Sequence, residues 1–340
     1  MKKKKVKAYA QAGVDVDLGN VVKRGIQALV RSTHGPEVLG RIGGFGGLFR
    51  ADFKAMKDPV LVSSVDGVGT KLKVAFATNR HDTVGQDLVN HCIDDIAVLG
   101  ARPLFFLDYI ASGELKPKVF TQLLRGFSKA CKAGSCALVG GETAQMPGMY
   151  QKGEYDLAGT IVGVVDRPLM LDGSKVRAGD VLIGLPANGL HTNGYSLARK
   201  VLFETMGLKT SSRLPGLRLN LGAELLRVHK NYQPLMASLP KGLLHAAAHI
   251  TGGGLIDNLP RVLPPGCQAN IRCASWTVPP LYRAIEKGGR IDGEEMYQVF
   301  NMGIGMVLIV KKARAAEAQK LTRGKIIGEI AKGSRGVVLG

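Results

Sequence analysis

The apolar run Val60-Leu61-Val62-Ser63-Ser64-Val65 passes directly into Asp66-Gly67-Val68-Gly69-Thr70-Lys71, and this junction limits the fold more than any other feature of the chain. Short runs rich in β-branched residues predict a buried strand, and the two glycines predict a tight turn at its end. Such a turn suits an anion. Gly67 and Gly69 can take positive φ and let backbone N–H groups approach a phosphate, while Thr70 and Lys71 add a hydroxyl and a cation. Asp66, at the strand end, is placed to hold a divalent ion. The familiar nucleotide motifs are absent: no Gly-Lys-Ser or Gly-Lys-Thr occurs in the chain, and Leu72 stands where a dinucleotide fingerprint needs its third glycine.

One helix further on, Asp94-Asp95-Ile96-Ala97-Val98-Leu99-Gly100-Ala101-Arg102-Pro103 forms a second acidic segment that ends in glycine. Leu88, Cys92, Ile96 and Leu99 recur at helical spacing and predict one apolar stripe along a helix over 84–99. Asp87, Asn90 and Asp94 fall three and four residues apart on another side, with His91 and Asp95 flanking them. Gly100 ends the helix and Pro103 prevents its continuation. A solvated helix face would account for any single Asp. A strand-end Asp-Gly-x-Gly-Thr-Lys followed within one helix by Asp-Asp points instead to oxygen ligands converging on a metal-bound polyphosphate.

Four other segments offer related chemistry. Gly43-Gly44-Phe45-Gly46-Gly47 is a flexible strip able to lie over a nucleotide, or a plain turn. Glu142 follows Gly140 and Gly141 after the apolar run Ala137-Leu138-Val139, so its carboxylate stands at a strand end, either as a metal ligand or as a capping or salt-bridge glutamate. His191 lies between the apolar segment 181–185 and a helical pattern that starts at Tyr195, a junction suited to an anion and equally to a structural loop histidine. His249-Ile250-Thr251-Gly252-Gly253-Gly254 opens a glycine nest of phosphate size, with His245 a competing but structural histidine.

Asp95-x-x-x-x-Gly100-Ala101-x-Pro103 matches the D-x-x-x-x-G-A-x-P signature of the aminoimidazole ribonucleotide synthetase superfamily, whose members share an ATP-dependent phosphorylation. The chain resembles the cyclo-ligase branch of that superfamily almost end to end, through Tyr9 to Asp15, Gly43 to Gly47, Val139 to Gly148, Gly189 to Ser196 and His249 to Gly254. The resemblance implies ring closure of formylglycinamidine ribonucleotide to aminoimidazole ribonucleotide, with ATP and Mg²⁺, in purine synthesis. It implies that Asp66, Asp94, Asp95 and Glu142 attend the metal, and that Lys71, His191 and His249 act on phosphate or substrate. It places Gly43, Gly44, Gly46, Gly47, Asp66, Gly67, Gly69, Thr70, Lys71, Asn90, Gly140, Gly141, Asn193, Thr251, Gly252 and Gly253 around the nucleotide and ribonucleotide. A homodimer joined through the N-terminal sheets, and a C-terminal α/β domain closing the cleft, also follow from it. Selenophosphate synthetases carry a reactive Cys beside an N-terminal glycine strip, and no Cys precedes Cys92 here. Thiamine monophosphate kinases lack the Gly-Leu-His-Thr-Asn-Gly-Tyr-Ser pattern.

The first half alternates strand-like runs at 60–65, 104–111, 136–140 and 157–165 with helical patterns at 84–99 and 117–132, which makes it α/β. Asp166-Arg167-Pro168 and Asp172-Gly173 interrupt the pattern, so the chain divides into an ATP-binding and dimerisation domain, 1–168, and a second domain, 169–340, whose final strand lies near 325–330. Cys92, Cys131, Cys136, Cys267 and Cys273 have no C-x-x-C spacing and read as free thiols. No apolar stretch is long enough for a membrane span, and the N-terminal lysines lack the apolar core of a signal peptide, so a cytoplasmic enzyme is expected. The net charge of +19 raises a non-catalytic nucleic-acid binder as the alternative. Lys2 to Lys5 form a short basic tail, the other cations are dispersed, and no nucleic-acid recognition motif is present, so no specific nucleic-acid partner is expected.

Overall fold

The computed structural model describes residues 7–114 and 116–340, so the lysine tail lies outside the described residues. Two sheets organise the chain. The first contains β1 (Pro59–Gly67), β2 (Arg102–Ser112), β3 (Ala137–Gln145) and β4 (Tyr155–Asp166) in the order β1-β4-β2-β3. Strands β2 and β3 run parallel because a helix, Pro117–Ala133, crosses between them; the other pairings are antiparallel. Three long helices belong to this half: α1 (Val16–Arg31), α2 (Asp82–Ala97) and the crossover α3 (Pro117–Ala133). Helices α2 and α3 cover one face of the sheet, with Leu88 and Ile96 of α2 closing on Gly159, Phe106 and Gly163.

The other face is open. Burial in β1 alternates residue by residue, leaving Leu61 and Val65 exposed. The run 60–65 is therefore an edge strand with one covered face, and not the wholly buried strand expected from its composition. A continuous apolar run has the same appearance whether its second face meets a helix, another chain or water.

The second sheet contains β5 (Val181–Pro186), β6 (Leu244–His249), β7 (Cys267–Ile271), β8 (Ile304–Val310), β9 (Lys325–Lys332) and β10 (Gly336–Leu339), in the order β10-β7-β9-β5-β8-β6. Only β10 and β7 pair in parallel. Every residue of β8 is buried, as its unbroken apolar sequence requires of a central strand. The chain adds β10 after the strand at 325–332, so the expected final strand is the penultimate one.

Helix α2 lies between the two halves and is buried on nearly all sides. Its polar face meets the second half of the chain, a contact that joins the two cores into one apolar cluster. All five cysteines are free thiols, buried or half-buried.

Candidate active site

The carboxylates of Asp66, at the end of β1, and Asp95, on α2, flank His91. His91 Nε2 lies 2.9 Å from Asp66 Oδ2 and 3.8 Å from Asp95 Oδ2. Asp66 Oδ1 accepts from Gly67 N–H at 2.6 Å, and Asp95 Oδ2 accepts from Ser64 Oγ at 3.1 Å. These two side chains are 40% and 24% exposed, against 4% for His91, so the acids face the cleft and the imidazole lies behind them. Burial, the largest influence, favours the neutral form of Asp66, but the hydrogen bond with His91, the charge of His91 and the Gly67 N–H together outweigh it and draw the carboxyl below its ordinary value. For Asp95 burial is again the largest influence, and the hydrogen bond and charge of His249, the charge of His91 and the Ser64 hydroxyl together outweigh it. Burial also opposes charge on His91, yet the hydrogen bond with Asp66 and the nearby carboxylates lift its pKa above the ordinary value. The two carboxylates thus favour a proton on the imidazole between them.

Three more histidines arrive from the second half: His191 on the loop after β5, His229 on the loop between the short helices Leu221–Leu225 and Gln233–Ser238, and His249 at the end of β6. His249 Nδ1 lies 2.8 Å from Asp95 Oδ1, and its Nε2 lies 2.9 Å from His229 Nε2. His191 stacks on His229 with ring centroids 4.0 Å apart. Burial pushes the pKa values of all three down, so these imidazoles are neutral. His191 takes a positive φ of 61°, and its Nε2 accepts the backbone N–H of Asn188 at 3.0 Å. Its Nδ1 therefore carries the proton, and that atom has no hydrogen-bond partner among the described residues.

Ring nitrogens of His191, His229 and His249 lie within 4.8 Å of one another, as metal ligands would. The proton fixed on His191 Nδ1 removes that nitrogen from any metal set. The hard-oxygen pair Asp66 and Asp95 is the part of the cluster suited to a divalent cation.

Several expected ligands do other work. Lys71 is fully buried and directs its ammonium to Asp87 Oδ2 at 2.8 Å, His191 O at 2.8 Å and Arg227 O at 2.7 Å. Its three protons are spent inside the protein, so it is a buried structural cation and not the phosphate contact expected. Asn90 donates to His229 O at 2.7 Å and Asp94 accepts from Tyr232 N–H at 2.8 Å; both are buried and neither reaches the cleft. Burial holds the Asp94 carboxyl well above its ordinary range, and its position away from the cleft leaves it out of reach of a metal there.

Glu142 is separated from the acid pair. Asp66 lies opposite Gly159, Gly159 opposite Asp108, and Asp108 opposite Gly141, so three strand spacings, about 14 Å, intervene. Glu142 pairs with Tyr109 and therefore points to the open face of the sheet, away from Asp66. One ion cannot bind both within a single chain.

The glycine segments do meet. Gly43, Gly44, Gly46 and Gly47 line one wall, and Gly140, Gly141 and Glu142 another, of a cavity of about 500 Å³ whose floor includes Ile26, Val30 and Phe120. Asp108 lines it too, its carboxyl raised to about 7 by burial, with Glu142 adding to the shift. Outside this cavity, at the end of β1, Gly69 takes positive φ, whereas Gly67 remains in extended strand. Thr70 Oγ1 reaches Ser196 Oγ across the cleft at 2.9 Å. Asn193 and the glycine nest after β6 lie together, a Cβ on Gly252 coming 3.2 Å from Asn193 Oδ1.

Residues 51–165 match the N-terminal domain, and residues 177–340 the C-terminal domain, of the family described as AIR synthase related protein. The chain belongs to that family. It is 51% identical over 330 residues to the phosphoribosylformylglycinamidine cyclo-ligase of Geobacter metallireducens, covering 95% of each chain. It is 51% identical over 338 residues to the enzyme of the same name from Syntrophotalea carbinolica, covering 98% of this chain and 97% of that one. Among solved structures, thiamine-monophosphate kinase from Stenotrophomonas maltophilia superposes with a TM-score of 0.66 at 18% identity over 96% of each chain. Escherichia coli HypE, a hydrogenase maturation protein, gives 0.66 at 18% over 95% and 93%. These structures establish the two-domain AIR synthase fold.

Two site residues have no mark in the sequence reading. His229 stands in Arg227-Val228-His229-Lys230 without a glycine nest or a strand end to flag it. Asp108 was visible in principle, because it shares the buried register of Phe106 and Ile110 in β2, and a carboxylate on an apolar register needs a reason.

Proposed function

We propose that this chain catalyses ATP-dependent closure of formylglycinamidine ribonucleotide to aminoimidazole ribonucleotide, releasing ADP and phosphate. The observation that carries the reading is half-identity over nearly the whole length to relatives named phosphoribosylformylglycinamidine cyclo-ligase. The ionised pair Asp66 and Asp95, open to the cleft between the domains, supports it.

The chemistry is a leaving-group problem. An amide oxygen does not depart as oxide, so the γ-phosphoryl of ATP passes to the formyl oxygen and makes an iminophosphate. The amidine nitrogen then attacks that carbon, the ring closes, and phosphate leaves with the oxygen. Phosphoryl transfer asks the protein for positioning and charge neutralisation more than for covalent help.

Asp66 and Asp95 fit Mg²⁺ through their oxygen chemistry, their ionised state and their partial exposure. Mg²⁺ bound there would neutralise phosphate charge. Gly43 to Gly47 and Gly140-Gly141 hold the nucleotide in the cavity they line. Thr70 and Gly69 on one lip, with Asn193, Thr251 and Gly252 on the other, orient phosphate and ribonucleotide. His191 is buried beneath the cleft, stacked on His229, so it supports this region from below, and His249, braced by Asp95, supports it from beside the carboxylate pair.

The division at residue 168, a homodimer formed through the open sheet face and a cytoplasmic location belong to the same proposal. No described helix is long and apolar enough to cross a membrane.

The test is turnover of formylglycinamidine ribonucleotide with ATP and Mg²⁺, following the aromatic amine by diazo coupling alongside ADP. Equal yields of amine and ADP are expected. Folded protein that yields neither from competent substrate sinks the reading.

A further inference from the structure

The buried polar residues of α2 present a question that the reaction alone does not answer. Asp87, Asn90 and Asp94 face the second domain without reaching the cleft, and a buried polar group is costly unless hydrogen-bonded. Asp87 Oδ1 accepts His229 N–H at 2.7 Å, Asn90 Nδ2 donates to His229 O at 2.7 Å, and Asp94 Oδ2 lies 3.6 Å from His229 Nε2. The Lys71 ammonium secures Asp87 from the other side. Three buried polar side chains of α2 thus converge on one loop histidine, with Lys71 behind one of them.

The side chain of that histidine lies midway along a hydrogen-bonded path between the two cleft carboxylates. Carboxylates only accept, so His249 donates from Nδ1 to Asp95 and its Nε2 is the acceptor. His229 must then donate from Nε2 across the 2.9 Å contact, which leaves its Nδ1 to accept the Thr192 hydroxyl at 3.4 Å. Thr192 Oγ1 accepts from His91 Nδ1 at 2.6 Å, and His91 Nε2 donates to Asp66 Oδ2 at 2.9 Å. Each link holds one proton, and reversing His229 would set two lone pairs against each other. Asp66, His91 and Asp95 come from the first domain; Thr192, His229 and His249 come from the second.

We propose that His229 is a positioning residue: through Thr192 and His249 it orients the two imidazoles that aim Asp66 and Asp95, and so fixes the carboxylate pair for Mg–ATP. The inference rests on the reading that this pair attends the metal. Partners behind metal ligands characteristically carry 10–100-fold in metal affinity or activity, and that is the range expected here.

The experiment compares wild type with His229→Leu, His229→Gln and Thr192→Val. Calorimetry measures ATP affinity with and without Mg²⁺, and steady-state kinetics measures kcat and KM for the ribonucleotide. His229→Leu is expected to lose about 10–100-fold in Mg²⁺-dependent ATP binding and in kcat, with a much smaller change in KM for the ribonucleotide. His229→Gln, which keeps an N–H toward His249, is expected to recover most of the loss, and Thr192→Val to fall the same way as His229→Leu. If folded His229→Leu binds Mg–ATP as wild type does, the proposal is overturned. If His229→Leu does not fold, Thr192→Val decides, and unchanged binding by that variant overturns it equally. Wild type that binds Mg–ATP but makes no amine would defeat the cyclo-ligase reading alone, while weaker binding by the variants would still sustain the role of His229.

Discussion

At the scale of single residues, burial separates side chains that look alike in sequence. Lys71 and Asp87 form an ion pair with no exposure, and removing one partner of such a pair strands the other charge, at a cost of about 3–5 kcal/mol. Lys71→Met is therefore expected to lower unfolding free energy by that amount in urea titrations, whereas a surface phosphate ligand would lose ATP affinity and keep its stability. Asp94 and Asp95 are adjacent in sequence and shifted in opposite directions. Asp94→Asn replaces an acid whose charge burial already disfavours and keeps an acceptor for Tyr232 N–H, so kcat should stay within about threefold, while Asp95→Asn removes a cleft charge and should cost about 10²-fold or more, on the order of the largest electrostatic effects in active sites. Asp108 is protonated in the folded chain up to about pH 7, against an ordinary value of 3.8. The folded state therefore binds the extra proton, and stability from this group is present below pH 4 and lost as pH rises to 7. Melting curves of Asp108→Asn and wild type should coincide near pH 4 and separate in favour of Asn by pH 8. Spacing and strand ends singled out Asp66 and Asp95, and the glycine nest singled out His249; the fold brings the three side chains together around His91. Asn90 and Asp94 were expected at the cleft because a helical wheel shows which residues share a face and says nothing about what that face meets, and Lys71 because its glycine turn does not show that the ammonium folds inward to Asp87.

At the scale of elements, the site depends on how closely α2 can approach its neighbours. Gly85 of α2 faces Gly126 of α3, and a Cβ on Gly85 would lie 2.5 Å from Leu123 O, with Gly126 equally crowded against Asp82 O. The two backbones touch there, which fixes the height of α2 above the sheet and with it Asp87, His91 and Asp95. Gly85→Val should force the helices apart and cost at least the 1–3 kcal/mol typical of overpacking. Its signature in a denaturant titration is a lower midpoint with an unchanged slope. The alternation of strands and helices over 60–165 was readable because each element has a clear period and a glycine or proline stop. What the strand pattern could not supply was the order β1-β4-β2-β3, which sets Glu142 three strands from Asp66 and on the opposite face. Register across a sheet is a property of pairing, and no single strand carries it.

At the scale of the whole molecule, the open face of the first sheet bears on both assembly and charge. Leu61 and Val65 are 64% and 68% exposed, Tyr109 and Glu142 stand on the same face, and a second copy of this sheet would cover the apolar residues. Leu61→Lys combined with Val65→Lys should give a folded monomer in sedimentation, and wild type that sediments as a monomer would end the dimer proposal. The net charge gives the assembly a sign. Two chains of +19 repel one another, while ATP and a phosphorylated ribonucleotide are attracted to each. Screening weakens both effects, with a Debye length that falls from about 10 Å at 0.1 M salt to about 3 Å at 1 M. Raising salt over that range should therefore tighten the dimer and raise the KM values together. If the dimer loosened as KM rose, opposite-charge contacts across the face would have to hold it together, and the apolar residues at 61 and 65 would no longer be its basis.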